Sequence, residues 1–140
     1  TYIFNTFLNF SVIDSEYTSS DEPGVEGKEV EFVPKFNIKY GIKFGYKNFT
    51  SYLQYSFLSS QFSDSSNSLE SNLSGVIGQI PAYDILDLSM NYKFGKIKLE
   101  TGVNNILNNF YFTRRATGYP GPGIIPSPPR NFYLTLQYKF

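Results

Sequence analysis

Residues 131–140 read NFYLTLQYKF, and apolar or aromatic side chains alternate strictly with more polar ones through this stretch. Successive side chains of a β-strand point to opposite faces, so one face of this strand is entirely apolar. That face carries Phe132, Leu134, Leu136, Tyr138 and Phe140. An aromatic-rich strand that runs to a Phe without a polar tail is typical of a barrel strand that faces lipid. The stretch therefore predicts the terminal strand of a membrane β-barrel.

Five further segments show the same two-faced pattern and are predicted strands. They span residues 1–13, 32–44, 49–60, 83–94 and 97–105. The second is the clearest, because Lys35, Lys39 and Lys43 share the face opposite its large apolar groups. Such a segment separates two different solvents. We expect the lysine face to line a lumen, where it could attract anions, and the other face to meet lipid.

The connections between these strands alternate between long and short. Residues 14–31, 61–82 and 106–130 are long polar, Ser/Asn/Gly-rich or Pro/Gly-rich loops, whereas residues 46–48 and 95–96 are tight turns. Outer-membrane barrels have long extracellular loops and short periplasmic turns. Six strands are too few to close such a barrel, because single-chain examples begin at about eight. We therefore expect further strands before residue 1, or other chains, to complete it.

The composition of the 140 residues narrows the function. The chain has no His and no Cys, which removes the commonest general base and the thiolate metal ligands, so we expect no enzyme, metal site or cofactor. Its formal net charge of 0 argues against a nucleic-acid partner. It contains no run of about 18 apolar residues, so no membrane-spanning helix is predicted.

Several short motifs resemble one family. Residues 102–108 read GVNNILN, which resembles a segment near the end of TonB-dependent outer-membrane receptors. The similarity continues through residues 111–126 and into the terminal strand. VPKF at residues 33–36 and SQFSD at residues 60–64 are similar to a strand start and a strand exit of that family. The resemblance covers nearly the whole chain and is strongest to the ferric-siderophore or ferric-citrate branch.

This resemblance implies an all-β, antiparallel transmembrane barrel segment, about six strands of a barrel of about 22 strands with a plugged lumen. Residues 1–140 would be the C-terminal barrel segment, without the plug. The implied function is uptake of an iron chelate across the bacterial outer membrane. The implied partners are membrane lipid and lipopolysaccharide, the remaining strands and plug, the TonB complex and the barrel-assembly machinery. Instead of attracting anions, the lysine face of the second strand could pair with an acidic surface of the plug or simply be solvated.

Four side chains of the last long loop are candidate ligand contacts: Arg114, Arg115, Tyr111 and Tyr119. Arginine pairs bidentately with carboxylates and stacks on aromatic rings, and both properties suit an anionic iron chelate. The alternative is that the two arginines tie this loop to neighbouring loops or to the plug.

The terminal strand has a second implied role. By the same resemblance, the alternating positions Phe132, Leu134, Leu136, Tyr138 and Phe140 form the signal that the barrel-assembly machinery reads. Recognition would occur by strand addition at an exposed edge. The simpler interpretation of the same face is that it contacts lipid. Lipid contact and an assembly signal are compatible.

The acidic residues suggest no site of their own. Residues 14–31 hold seven acidic side chains, but their spacing matches no recognised cation site, and a solvated surface loop explains them better. Asp84 and Asp87 lie three residues apart on a predicted strand, hence on opposite faces, so paired acid/base chemistry is not supported.

Two other function classes fit parts of the pattern. The chain could belong to a porin-like or structural outer-membrane barrel that has no active transport. It could also be a soluble β-sandwich that binds carbohydrate through its aromatic side chains.

Overall fold

The computed structural model describes residues 2–119 and 121–140, so Thr1 of the first predicted strand and Pro120 of the last loop lie outside the described residues. Within them it contains ten β-strands. These are β1 (Tyr2–Val12), β2 (Phe36–Tyr46), β3 (Phe49–Leu58), β4 (Gln61–Phe62), β5 (Gln79–Ile80), β6 (Tyr83–Phe94), β7 (Ile97–Asn104), β8 (Phe112–Ala116), β9 (Gly123–Pro126) and β10 (Asn131–Tyr138). No helix long and apolar enough to span a membrane occurs in the described part of the chain.

Six long strands form one antiparallel sheet in the order β1-β2-β3-β6-β7-β10. Each of the six predicted segments corresponds to one of these strands, and the predicted all-β antiparallel architecture is confirmed. Strand β2 begins at Phe36 rather than residue 32, because Phe32 adopts a φ of 59° in a turn before it. Lys35 therefore precedes the strand that it was expected to belong to.

The register collects the predicted apolar residues on one face of the sheet. Phe10 pairs with Ile38, Ile38 with Phe57, and Leu134 with Thr101, so the apolar parity of each strand matches that of its neighbours. Aromatic rings stack along this face, as between Tyr2 and Tyr46, whose centroids lie 4.5 Å apart. Phe140 follows β10 and packs edge-on against Tyr138 at 5.2 Å. The apolar face extends across all six strands and is interrupted by Ser51 and, near the start of β6, by Asp84.

The opposite face is polar but contains large side chains that the alternation pattern does not explain. Phe7 is the only described residue of β1 that is not exposed; it lies over Gly41 and stacks on Tyr52 at 6.0 Å. Tyr133 lies over Gly102 in the same way. Lys39 and Lys43 share this face, opposite Ser56 and Tyr52 respectively. These large groups cover glycines that would otherwise leave gaps in the sheet.

The two tight turns lie at one end of the sheet. Tyr46 pairs with Phe49, so the first turn consists of Lys47 and Asn48 only, and Tyr46 belongs to the strand. Lys47 has a φ of 52°, as a two-residue hairpin requires. The second turn, Gly95 and Lys96, is as predicted, and Gly95 has a φ of 56°. We call this the turn end.

Three long connections lie at the other end, which we call the loop end. Loop A covers residues 13–35, loop B residues 59–82 and loop C residues 105–130. Loops B and C were predicted to lack strands, and that prediction was wrong: β4 pairs with β5 inside loop B, and β8 pairs with β9 inside loop C. These strands are only two to five residues long, which is too short for a two-residue period to be visible in the sequence.

The described residues contain no second layer over either face of the six-stranded sheet, whose strands contact only their sheet neighbours. The buried apolar side chains lie in the loops, at Val25, Ile80 and Ala116, and of these Ile80 is fully buried. A β-sandwich needs two sheets packed around a shared core. The soluble sandwich considered from the sequence is therefore not the architecture of this chain.

Candidate functional site

The two candidate arginines lie next to each other on β8 but face opposite ways. The pairing of β8 with β9 contains a bulge between Phe112 and Arg114, after which Arg114 opposes Ile125 and Arg115 opposes Ile124. The bulge brings Arg115 to the same side as Phe112, whose ring centroid lies 5.1 Å from the guanidinium carbon. Alternation then leaves Arg114 exposed on the other side.

Arg115 is buried against loop B. Its Nη1 donates to the Gly75 carbonyl at 2.9 Å and its Nη2 to the Gln79 carbonyl at 3.0 Å. Only 6% of the residue is exposed, and no partner is found for Nε within the described part of the chain. This geometry matches the alternative raised from the sequence, that an arginine ties the last loop to its neighbour.

The two candidate tyrosines also differ. Tyr111 stacks on Tyr83 at the start of β6, with ring centroids 4.7 Å apart, and is only partly exposed. Tyr119 is 97% exposed. Of the four candidates, Arg114 and Tyr119 are thus exposed, whereas Arg115 and Tyr111 pack against the protein.

Two asparagines anchor loop C to the first residues of β6. Asn105 is 2% exposed and has a φ of 53°; its side chain donates to the Asn109 carbonyl and accepts from the Asn109 amide. Its own amide donates to Asp87, and the Asn109 side chain donates to Asp84. The two aspartates, which the register places on opposite faces, therefore both serve as hydrogen-bond acceptors for loop C.

Loop B is organised around Asp64. Its carboxylate accepts hydrogen bonds from the Ser66 hydroxyl, from the amide and hydroxyl of Ser68, and from the Gly78 amide. Partial burial raises the pKa of Asp64, but these hydrogen bonds outweigh burial and hold its pKa below the ordinary value. The ionised carboxylate thus closes a loop that has little apolar core.

Loop B also contacts loop A. The Glu29 amide donates to the Asn67 side-chain oxygen at 2.7 Å, and the Asn67 side-chain nitrogen donates to the Glu29 carbonyl at 2.8 Å. The Phe32 amide donates to the Phe62 carbonyl at 2.8 Å. Loops A, B and C are therefore joined in series, with loop B in the middle.

Loop A folds back on itself rather than extending into solvent. Glu16 and Glu29 form an isolated bridge, and the Tyr17 hydroxyl donates to the Glu31 carboxylate at 2.5 Å. This hydrogen bond, with partial burial and the nearby negative charges of Glu31 and Glu22, raises the pKa of Tyr17. Among residues 2–119 and 121–140, no group of three acidic side chains is placed to hold a metal ion.

A family model described as "TonB dependent receptor-like, beta-barrel" matches residues 1–106. This span includes five of the six long strands and loops A and B. The chain belongs to the TonB-dependent receptor β-barrel family. The resemblance stated from the sequence motifs is confirmed.

Solved receptor structures share this fold. The ferric citrate transporter FecA in its unliganded form is 28% identical with a TM-score of 0.88, and the match covers 98% of this chain and 21% of that one. The siderophore receptor PiuA from Acinetobacter baumannii is 19% identical with a TM-score of 0.77, over 98% of this chain and 20% of that one. The ferric yersiniabactin uptake receptor FyuA from Yersinia pestis is 18% identical with a TM-score of 0.78, over 98% and 21%. At their identities, PiuA and FyuA show the fold alone, and this chain spans about a fifth of each solved structure.

Four residues that hold loops A, B and C in place were not identified from the sequence: Asp64, Asn67, Asn105 and Asn109. The sequence hint for the last three was their identity as Asn, a residue that tolerates the left-handed region better than most. Asn67 and Asn105 both adopt a φ of 53° in the structure. The predicted assembly residues of the terminal strand lie together on the apolar face, where Phe132 and Leu134 are more than two-thirds exposed.

Proposed function

We propose that residues 1–140 are the closing, C-terminal segment of an outer-membrane TonB-dependent receptor that takes up a ferric chelate such as ferric citrate or a siderophore. The observation that carries this proposal is the family match over residues 1–106, which include five of the six strands of the two-faced sheet. The likeness to a ferric citrate transporter supports it. In this arrangement the apolar face meets membrane lipid and the polar face lines the lumen.

The loop end is the extracellular side in this proposal, and the turn end faces the periplasm. Arg114 and Tyr119, exposed on loop C, contact the anionic chelate. A plug and the remaining strands, supplied elsewhere in the receptor, complete the barrel, and the TonB complex supplies energy. Lipopolysaccharide surrounds the loop end of the apolar face, and the barrel-assembly machinery inserts the strands.

Uptake assays with the complete receptor test this function. The receptor is expressed in a strain that lacks its own ferric citrate receptor, and uptake of radioactive iron supplied as citrate or as siderophores is measured with and without TonB. We expect saturable uptake of at least one chelate that disappears without TonB. Uptake that is unsaturable and independent of TonB would instead support a porin-like barrel and overturn the proposal.

A further inference from the structure

The contact between loops B and C is built to keep the two loops together. The Arg115 guanidinium spans two carbonyls, Gly75 and Gln79, that stand four residues apart on loop B. Both partners belong to the backbone, so neither can move without moving loop B itself. Separating the loops would break both hydrogen bonds at once, and hydrogen bonds to a charged group contribute more than those between neutral groups.

Close backbone packing accompanies these hydrogen bonds. A Cβ placed on Gly75 would lie 3.3 Å from the Gly123 Cα, and one placed on Gly123 would lie 3.2 Å from the Ser74 carbonyl oxygen. The β8–β9 hairpin therefore rests directly on the backbone of loop B. The side of β8 that carries Arg115 is fixed against loop B, and the direction of Arg114 on the opposite side is fixed with it.

We propose that Arg115 is a positioning residue, which clamps the β8–β9 hairpin onto loop B and thereby aims the exposed Arg114 at an anionic ferric chelate. This inference rests on the proposed function for the role of Arg114, whereas the clamp itself rests on the contacts of Arg115 alone. Arg114 is the ligand-contacting member of the pair, and Arg115 acts only through it.

A double-mutant cycle in the complete receptor tests the positioning role, with ferric citrate as the probe. Arg114→Gln removes the proposed ionic contact and is expected to weaken binding about tenfold or more. Arg115→Met keeps the side-chain length without its donors and is expected to cause a similar loss. Because Arg115 acts through Arg114, the double variant should bind no more weakly than Arg115→Met alone. Multiplicative losses, or an unchanged affinity in Arg115→Met, would overturn the inference.

A distance measurement tests the clamp without any ligand. Spin labels attached at Leu73→Cys in loop B and Thr117→Cys in loop C report the distribution of distances between the two loops; both positions are exposed. We expect a narrow distribution that broadens in Arg115→Met and stays narrow in the matched control Arg114→Gln. A distance distribution of unchanged width in Arg115→Met would show that Arg115 does not hold the two loops together.

Arg115→Lys serves if Arg115→Met does not assemble, since it retains the charge but cannot span both carbonyls, and an intermediate width is expected. Failure of the unsubstituted receptor to bind any ferric chelate counts against the proposed function, while the spin-label distances still decide the clamp.

Discussion

The ring of Phe7 lies across Gly41, its direct partner on the neighbouring strand, so closely that a Cβ on Gly41 would fall 2.1 Å from the ring carbon Cε1. Phe7 breaks the alternation of apolar and polar side chains in β1, because it is an aromatic residue on the polar face. The register explains its presence, since Phe7 fills the space above Gly41 and its ring centroid lies 6.0 Å from that of Tyr52. The glycine and the aromatic are therefore a matched pair across two strands.

Gly41→Ala should destabilise the assembled barrel by about 1–3 kcal/mol, because the new methyl group collides with the Phe7 ring. The obstacle is a side chain that can be shortened, so Phe7→Leu added to Gly41→Ala should restore part of the loss. Urea denaturation of the purified receptor in detergent measures both effects. Gly118→Ala is the matched control, because nothing lies within 4 Å of its added Cβ. Equal effects at positions 41 and 118 would contradict the prediction.

Gly102→Ala should be harder to rescue. Its Cβ would lie 2.5 Å from the Leu88 carbonyl oxygen, which belongs to the backbone of the adjacent strand, as well as 2.6 Å from the Tyr133 ring. We expect a loss at or above the upper end of about 1–3 kcal/mol, or failure to assemble. Tyr133→Ala should not recover it, since the backbone contact remains. The same denaturation assay decides, and recovery in the double variant would show that the side chain alone is the obstacle.

The six long strands were predictable because their two faces have different surroundings. Apolar and polar side chains therefore alternate over about ten residues in each strand. The short strands were not: β4 and β5 have two residues each, and the bulge after Phe112 interrupts any alternation in β8. The candidate arginines could be chosen by their chemistry. Which of them faces solvent depends on that bulge, and no property of Arg114 or Arg115 in the sequence distinguishes the two. Phe7, likewise, acquires its role only through the register.

Loop B should loosen as the pH falls. The folded pKa of Asp64 is lowered, so its stabilising contribution is complete above the ordinary aspartate value of about 3.9 and is lost as the pH falls through the lower folded value. Asp64→Asn should mimic this loss at neutral pH. Hydrogen exchange measures it as protection of the Ser68 and Gly78 amides, which donate to Asp64, and we expect protection to drop about tenfold. The Lys93 amide, which donates to the Asn48 carbonyl at the turn end, serves as the internal reference. Unchanged protection at Gly78 would refute the role of the carboxylate.

Neighbouring residues of β2 should meet different surroundings in the assembled receptor. Ile38 lies on the apolar face and Lys39 on the polar face. Fluorophores attached at Ile38→Cys and Tyr40→Cys should be quenched strongly by brominated lipids, whereas one attached at Lys39→Cys should be quenched weakly. The adjacent positions control for depth in the bilayer, since they differ by one residue along the strand. Equal quenching at positions 38 and 39 would contradict a lipid-facing apolar surface.

Removing Phe140 should lower the amount of receptor assembled in the outer membrane without changing the ligand affinity of what does assemble. Phe140 packs edge-on against Tyr138 at the turn end, on the face that carries the predicted assembly residues and far along the strand from loops A, B and C. Its loss therefore affects recognition of the strand and leaves the ligand contacts of loop C in place. Assembled receptor is measured by the mobility of unheated samples in gels, and affinity by ferric citrate binding per assembled molecule.

Lys139→Ser, on the opposite face, is the control and should assemble normally, because recognition by strand addition uses the side chains of one face of the strand. Normal assembly without Phe140 would leave the apolar face with lipid contact as its sole role.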